Sequence, residues 1–210
     1  TFTHFPDVVP FAVESPTQFL APAPPRLDSV EYAEAFTEVK TLGQDTSAVR
    51  TAEQTLVAQL YGGVGTRANP NTLWNGVARD VSRARGLGLI ETARLFALLN
   101  ATFHDALETS FASKYLYGLW RPVTAIQRAG EDGNPATEPD PGWMPLLTTP
   151  SYPSYTGNAA ALSAASARSL ERFFGTNDIA FDVFFDGINT PGLTRSYPGF
   201  WQFADEQARS

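Results

Sequence analysis

"IETARLFALLNATFHDALETSFASKYLYGLW", residues 90 to 120, meets no proline anywhere and no glycine before Gly118. Leu95, Leu98, Leu99, Thr102, Ala106 and Thr109 return at a helical period, and small residues between them allow close packing. The stretch is apolar nearly all round. It therefore reads as the central helix of the fold, spanning 90–117 and largely buried, Leu98 included.

Working outward towards the N-terminus, "NPN" precedes a helix that carries Leu73, Trp74, Val77 and Val81. "DTSAVRTAEQTLVAQLYGG" reads as another, from a Thr46 or Ser47 cap to a glycine stop at Gly62. Asp28 or Ser29 can cap a first helix running to about Leu42, with Tyr32, Phe36 and Val39 on one face. Residues 1 to 28 hold many of the sixteen prolines, each removing a backbone donor and fixing φ, so they predict an extended arm. Phe11, Val13, Phe19 and Leu20 suggest that the arm lies on a folded body.

Towards the C-terminus, "GEDGNPATEPDPGW" is a polar loop, and "SYTGNAAALSAASARSLERFFG" is loop followed by an Ala/Ser-rich helix ending at Gly175. "DIAFDVFF" is a short strand or an apolar loop, and "PGFWQFADEQARS" begins a further helix. There is no repeat and no run of alternating strands, so the class is all-α. The expected organisation is an arm over 1–28 and a helical domain over 29–210 that stops incomplete. An apolar surface is then expected where further helices would pack, around Phe200 and Phe203.

At 43% hydrophobic residues the chain can bury a substantial core, which excludes disorder. A net charge of −7 argues against nucleic acid as a partner, so an anion would have to meet a local basic pocket. With no cysteine there is no disulfide, zinc ribbon or thiol nucleophile. "TFTHFPDVVPFAV" lacks the pattern of a signal peptide, as a processed exported protein also would. No apolar run is long enough to span a bilayer, which predicts a soluble chain.

Three places invite chemistry. The chain has two lysines, Lys40 and Lys114, and Lys114 lies seven residues before Arg121 in its most aromatic stretch. Pro122 turns Arg121 away from helical backbone. A lysine and a planar guanidinium converging there would grip a tetrahedral oxyanion; alternatively, both simply offset the negative end of a helix dipole. Gly157 and Asn158 stand just before a helix, where amides can hold an anion, or where Thr156 or Asn158 serves as an ordinary cap. His104, with Asp105 beside it and Glu108 one turn on, has metal-ligand spacing, but no second acidic helix completes a di-metal pattern, so a packed, hydrogen-bonded histidine is the plainer account. His4, in the proline-rich arm, has no assigned role.

Together these stretches resemble the vanadium-dependent haloperoxidase and acid phosphatase (phosphatidic-acid-phosphatase type 2) superfamily. Its three motifs are K-x6-R-P, P-S-G-H and S-R-x5-H-x3-D. "KYLYGLWRP" matches the first in full, with Lys114, Arg121 and Pro122. "EYAEAFTEVKTLG", "RTAEQTLVAQL", "ETARLFALLN", "WRPVTAIQRA", "DPGWMPLL" and "TRSYPGFWQFADEQARS" resemble the bacterial haloperoxidase-like branch, so the likeness spans nearly the whole chain.

The resemblance implies a helical bundle, vanadate as cofactor, or phosphate in a phosphatase, and Lys114, Arg121, Gly157 and Asn158 as its oxyanion-binding residues. It further implies peroxide and halide, or a phosphate ester, as substrates of a bacterial protein, whose compartment stays open, secreted or periplasmic being favoured. The second motif departs from the pattern: "YTGNAA" is one residue short, and Asn158 stands where the family has an acid–base histidine. Asparagine donates a hydrogen bond but exchanges no proton near neutral pH. The third motif, whose histidine binds vanadium or attacks phosphorus, breaks off at "EQARS". No catalytic residue is thus assigned within these residues. The readings left open are a haloperoxidase, a phosphatase and a non-catalytic binding or structural subunit. A homo-oligomer or a further C-terminal segment would complete the fold.

Overall fold

A computed structural model describes residues 2–62, 69–187 and 190–210. Its helices are α1 (Val30–Leu42), α2 (Ala52–Gly62), α3 (Pro70–Ala84), α4 (Leu89–Tyr117), α5 (Pro122–Gln127), α6 (Asn158–Phe174) and α7 (Phe200–Ala208). Between α6 and α7 lies an antiparallel hairpin of β1 (Phe181–Gly187) and β2 (Thr190–Tyr197). Among the described residues no helix is long and apolar enough to cross a membrane.

Local chemistry accounts for most boundaries. Ser29 accepts a hydrogen bond from the Tyr32 amide and starts α1. Asn69 caps α3, and Pro70 takes the first helical position, where its missing N–H is not needed. The start of α2 corrects the expected cap at Thr46 or Ser47. Ser47 instead binds the Thr41 carbonyl and the Arg50 amide, while Thr51 and Gln54 bond reciprocally across the first turn. Gly118 closes α4 at φ +58°, a conformation a side chain would resist.

The main core joins α3, α4, α6, α7 and the hairpin. Trp74, Leu95, Leu99, Leu170, Phe200 and Phe203 are all essentially inaccessible. Phe181, Val183 and Phe185 alternate inward from β1, whereas Asp182 and Phe184 point outward. A smaller core gathers Tyr32, Phe36, Ile126 and Trp143 around α1 and α5.

Two expectations about surface are corrected. The first half of α4 is not buried all round: Leu98 is 44% exposed, and Leu89 and Ile90 are more so. Phe200 and Phe203 present no apolar surface, because the hairpin packs on them: the Phe181 ring centroid is 5.7 Å from each of theirs. The hairpin also settles "DIAFDVFF" as a strand, paired with a partner that carries Pro191 and Gly192 and so gives a weak strand signal.

Candidate oxyanion site

Lys114 sits in the last turn of α4 and Arg121 just before α5. The pre-proline restriction holds Arg121 in extended backbone, at φ −76° and ψ 151°. The chain reverses between them at Gly118, and both cations reach the loop that leads into α6. Arg121 Nε donates to the Tyr152 carbonyl at 2.6 Å. Lys114 Nζ donates to the carbonyls of Pro153, at 3.1 Å, Ser154, at 2.9 Å, and Thr156. The Tyr152 ring meets both charges, its centroid 5.2 Å from Lys114 Nζ and 4.8 Å from the Arg121 guanidinium carbon.

The electrostatics are unusual for two basic groups. Lys114 is 1% exposed. Burial, and then the charge of Arg121, push its pKa down to about 7. Three carbonyls nevertheless match the three protons of an ammonium, so the cage favours the charged form that burial opposes. Burial also lowers the Arg121 pKa, with Tyr152 opposing it. Arg121 Nη2 is buried and has no acceptor.

The Gly157–Asn158 turn adjoins this loop but faces elsewhere. Neither Thr156 nor Asn158 caps α6: Gly157 occupies the cap position without a side-chain bond. Ser110 on α4 instead donates to Asn158 Oδ1 at 2.7 Å and stands 3.0 Å from Thr156 Oγ1. Ser110, Thr156 and Gly157 help to wall a cavity of about 610 Å³, together with Ala12, Val13 and Asp105. Lys114 and Arg121 are not among its lining residues. The structure thus joins Lys114 and Arg121 at one loop, links Asn158 to that loop through Ser110, and leaves the cavity on the Gly157 side. Tyr152 and Ser110 escaped the sequence reading; the repeated tyrosines of "SYPSY" were the one available hint.

His104 lies apart from the cations. His104 is separated from Lys114 by ten residues of α4, about 15 Å along its axis. His4 is exposed and stacks on Phe5, with centroids 4.9 Å apart.

Residues 94–210 match the VCPO second helical-bundle domain family. Among solved structures, the chain is similar to one described as the first bacterial vanadium-dependent iodoperoxidase, with a TM-score of 0.79 and 25% identity. That alignment covers 97% of this chain and 49% of the other, so the chain spans about half the length of that protein. No curated protein matches.

Proposed function

The chain belongs to the vanadium haloperoxidase-like superfamily through its VCPO-type second helical bundle, and from that membership we propose that it contributes the cationic wall of an oxyanion site in a vanadium-dependent haloperoxidase. The observation that carries this reading is the pair formed by the buried Lys114 and the half-buried Arg121 around Tyr152. It brings two positive groups together without a carboxylate partner among the described residues and leaves Arg121 Nη2 without an acceptor. A buried donor of that kind is costly unless it is satisfied, and an oxyanion oxygen would satisfy it.

The residues present fit such a group as a binding wall. Arg121 would donate to it through Nη2, held in place by the Nε bond to the Tyr152 carbonyl. Lys114 would contribute charge, while its bonds to Pro153, Ser154 and Thr156 fix the loop. Bound vanadate supplies the centre at which peroxide is activated to oxidise a halide, and iodide belongs among the halides tested. The acid–base function remains outside this wall, because Asn158 cannot exchange a proton and its amide oxygen already accepts from Ser110.

The same wall would serve phosphate esters, since phosphate and vanadate share shape and charge. Asn158 also favours a binding subunit without turnover. Vanadium NMR of the chain titrated with vanadate tests the wall, and assays of iodide, bromide and aryl-phosphate turnover separate the three readings. Vanadate bound equally well by wild type and Arg121→Ala would overturn the proposal.

A further inference from the structure

His104, Asp105 and Glu108 form a second polar cluster on α4, and one donor atom from each lies within 4.8 Å of the others. His104 Nδ1 is 3.1 Å from Glu108 Oε1 and 3.6 Å from Asp105 Oδ1. Donors bound tetrahedrally to zinc at about 2.0–2.1 Å stand roughly 3.3 Å apart, so these separations suit a shared ion.

Glu108 makes the stronger point. It is completely buried, yet neither carboxylate oxygen has a hydrogen-bond partner. His104 Nδ1, close as it is, is not aligned to donate to it and is itself without a hydrogen bond. A buried carboxylate left in this way calls for a ligand. Asp105, by contrast, is firmly oriented: Oδ1 accepts the Phe11 amide at 2.7 Å, and Oδ2 accepts those of Ala12 and Val13 at 2.8 and 3.1 Å. Oδ1 keeps a lone pair towards His104, and outer hydrogen bonds of this kind are what position a ligating carboxylate. Two carboxylates against one imidazole leave negative charge that a divalent cation would balance.

The geometry points to a divalent-metal site, suited to zinc, with His104, Asp105 and Glu108 as its three protein ligands and a remaining position towards the cavity that Asp105 helps to wall. The site is separate from the oxyanion wall and does not depend on it. Its rival is a histidine–carboxylate pair that holds only a proton.

Calorimetric titration of the chelator-treated 210-residue chain with zinc chloride tests the assignment. One zinc ion per chain is expected. Glu108→Gln, which keeps the volume and removes the charge, is expected to weaken binding about 100-fold. His104→Gln should do the same, and His4→Gln should change nothing. Cobalt in place of zinc should give a visible absorption band that His104→Gln abolishes. This second readout decides the matter if Glu108→Gln fails to fold. Absence of zinc binding by the folded wild type overturns the site, as does undiminished binding by Glu108→Gln or loss of binding in His4→Gln.

Discussion

Lys114 is held by two opposing influences, and their balance is testable. Its folded pKa, near 7, lies below the value of about 10.4 expected in an unfolded chain. Between these values the unfolded state binds the extra proton, so this group's contribution to stability rises with pH across that window and is flat below it. An anion beside Lys114 pulls the other way, by raising its pKa. Phosphate or vanadate binding should therefore take up a proton above about pH 7 and weaken as pH rises towards 9. Calorimetry in two buffers of different ionisation enthalpy would read the uptake; an affinity that is flat over the window contradicts the assignment. Arg121→Ala should cost about 2–3 kcal/mol of oxyanion affinity, and Arg121→Lys should restore little of it, because a point charge cannot replace a fork anchored through Nε. The pairing of these two residues was legible in their spacing around Pro122. Tyr152 was not, because it reaches Arg121 from 31 residues away and only the repeated tyrosines of "SYPSY" hint at it.

At the scale of elements, polar side chains fasten segments that their own periodicity does not place. Asp105 gathers three consecutive amides of the N-terminal residues, and Tyr117 donates to the Ala21 carbonyl at 2.6 Å. Asp105→Ala should cost about 3 kcal/mol in denaturant titration, less than a sum over three bonds because the freed amides meet water. Limited proteolysis should then cut near Phe11 before the body unfolds; unchanged cleavage would deny the clasp. At the other end, Glu206 on α7 accepts from Tyr61, Tyr197 and Arg195, and Arg195 also reaches Glu53 at 2.8 Å. Burial and the bond to Glu206 push the Tyr197 pKa up to about 12. Glu206→Gln should lower stability by about 1–3 kcal/mol, and Tyr197→Phe by somewhat less. Boundaries were legible to within a residue where the candidate caps were adjacent, as at Asp28 and Ser29, of which Ser29 caps. They were misread where Thr46, Ser47 and Thr51 competed, and where Asn158 preferred Ser110 to its own helix. The hairpin was half legible: Phe181, Val183 and Phe185 alternate, but Pro191 and Gly192 hide the strand that pairs with them.

For the molecule as a whole, the apolar character of α4 revealed the class but not its surroundings. Leu95 and Leu99 lie wholly inside while Leu98 is 44% exposed, a distinction of faces that a helix apolar all round cannot announce. The division of chemistry follows from the same helix. Its C-terminal turn carries a buried cation, its middle carries a histidine with two carboxylates, and about 15 Å separates the two. An oxyanion held beside Lys114 and Arg121 would therefore not meet the His104 imidazole. His104 lies 3.1 Å from Glu108 in the middle of α4, His4 is exposed and stacks on Phe5, and Asn158, bound to Ser110, exchanges no proton near neutral pH. We accordingly expect these 210 residues to bind vanadate or phosphate in a salt-sensitive way and to oxidise no halide. The purified chain assayed with vanadate, peroxide and iodide or bromide is the measurement. Turnover above that of free vanadate would mean that an imidazole is dispensable to the chemistry, or that a second copy of the chain brings one to Arg121.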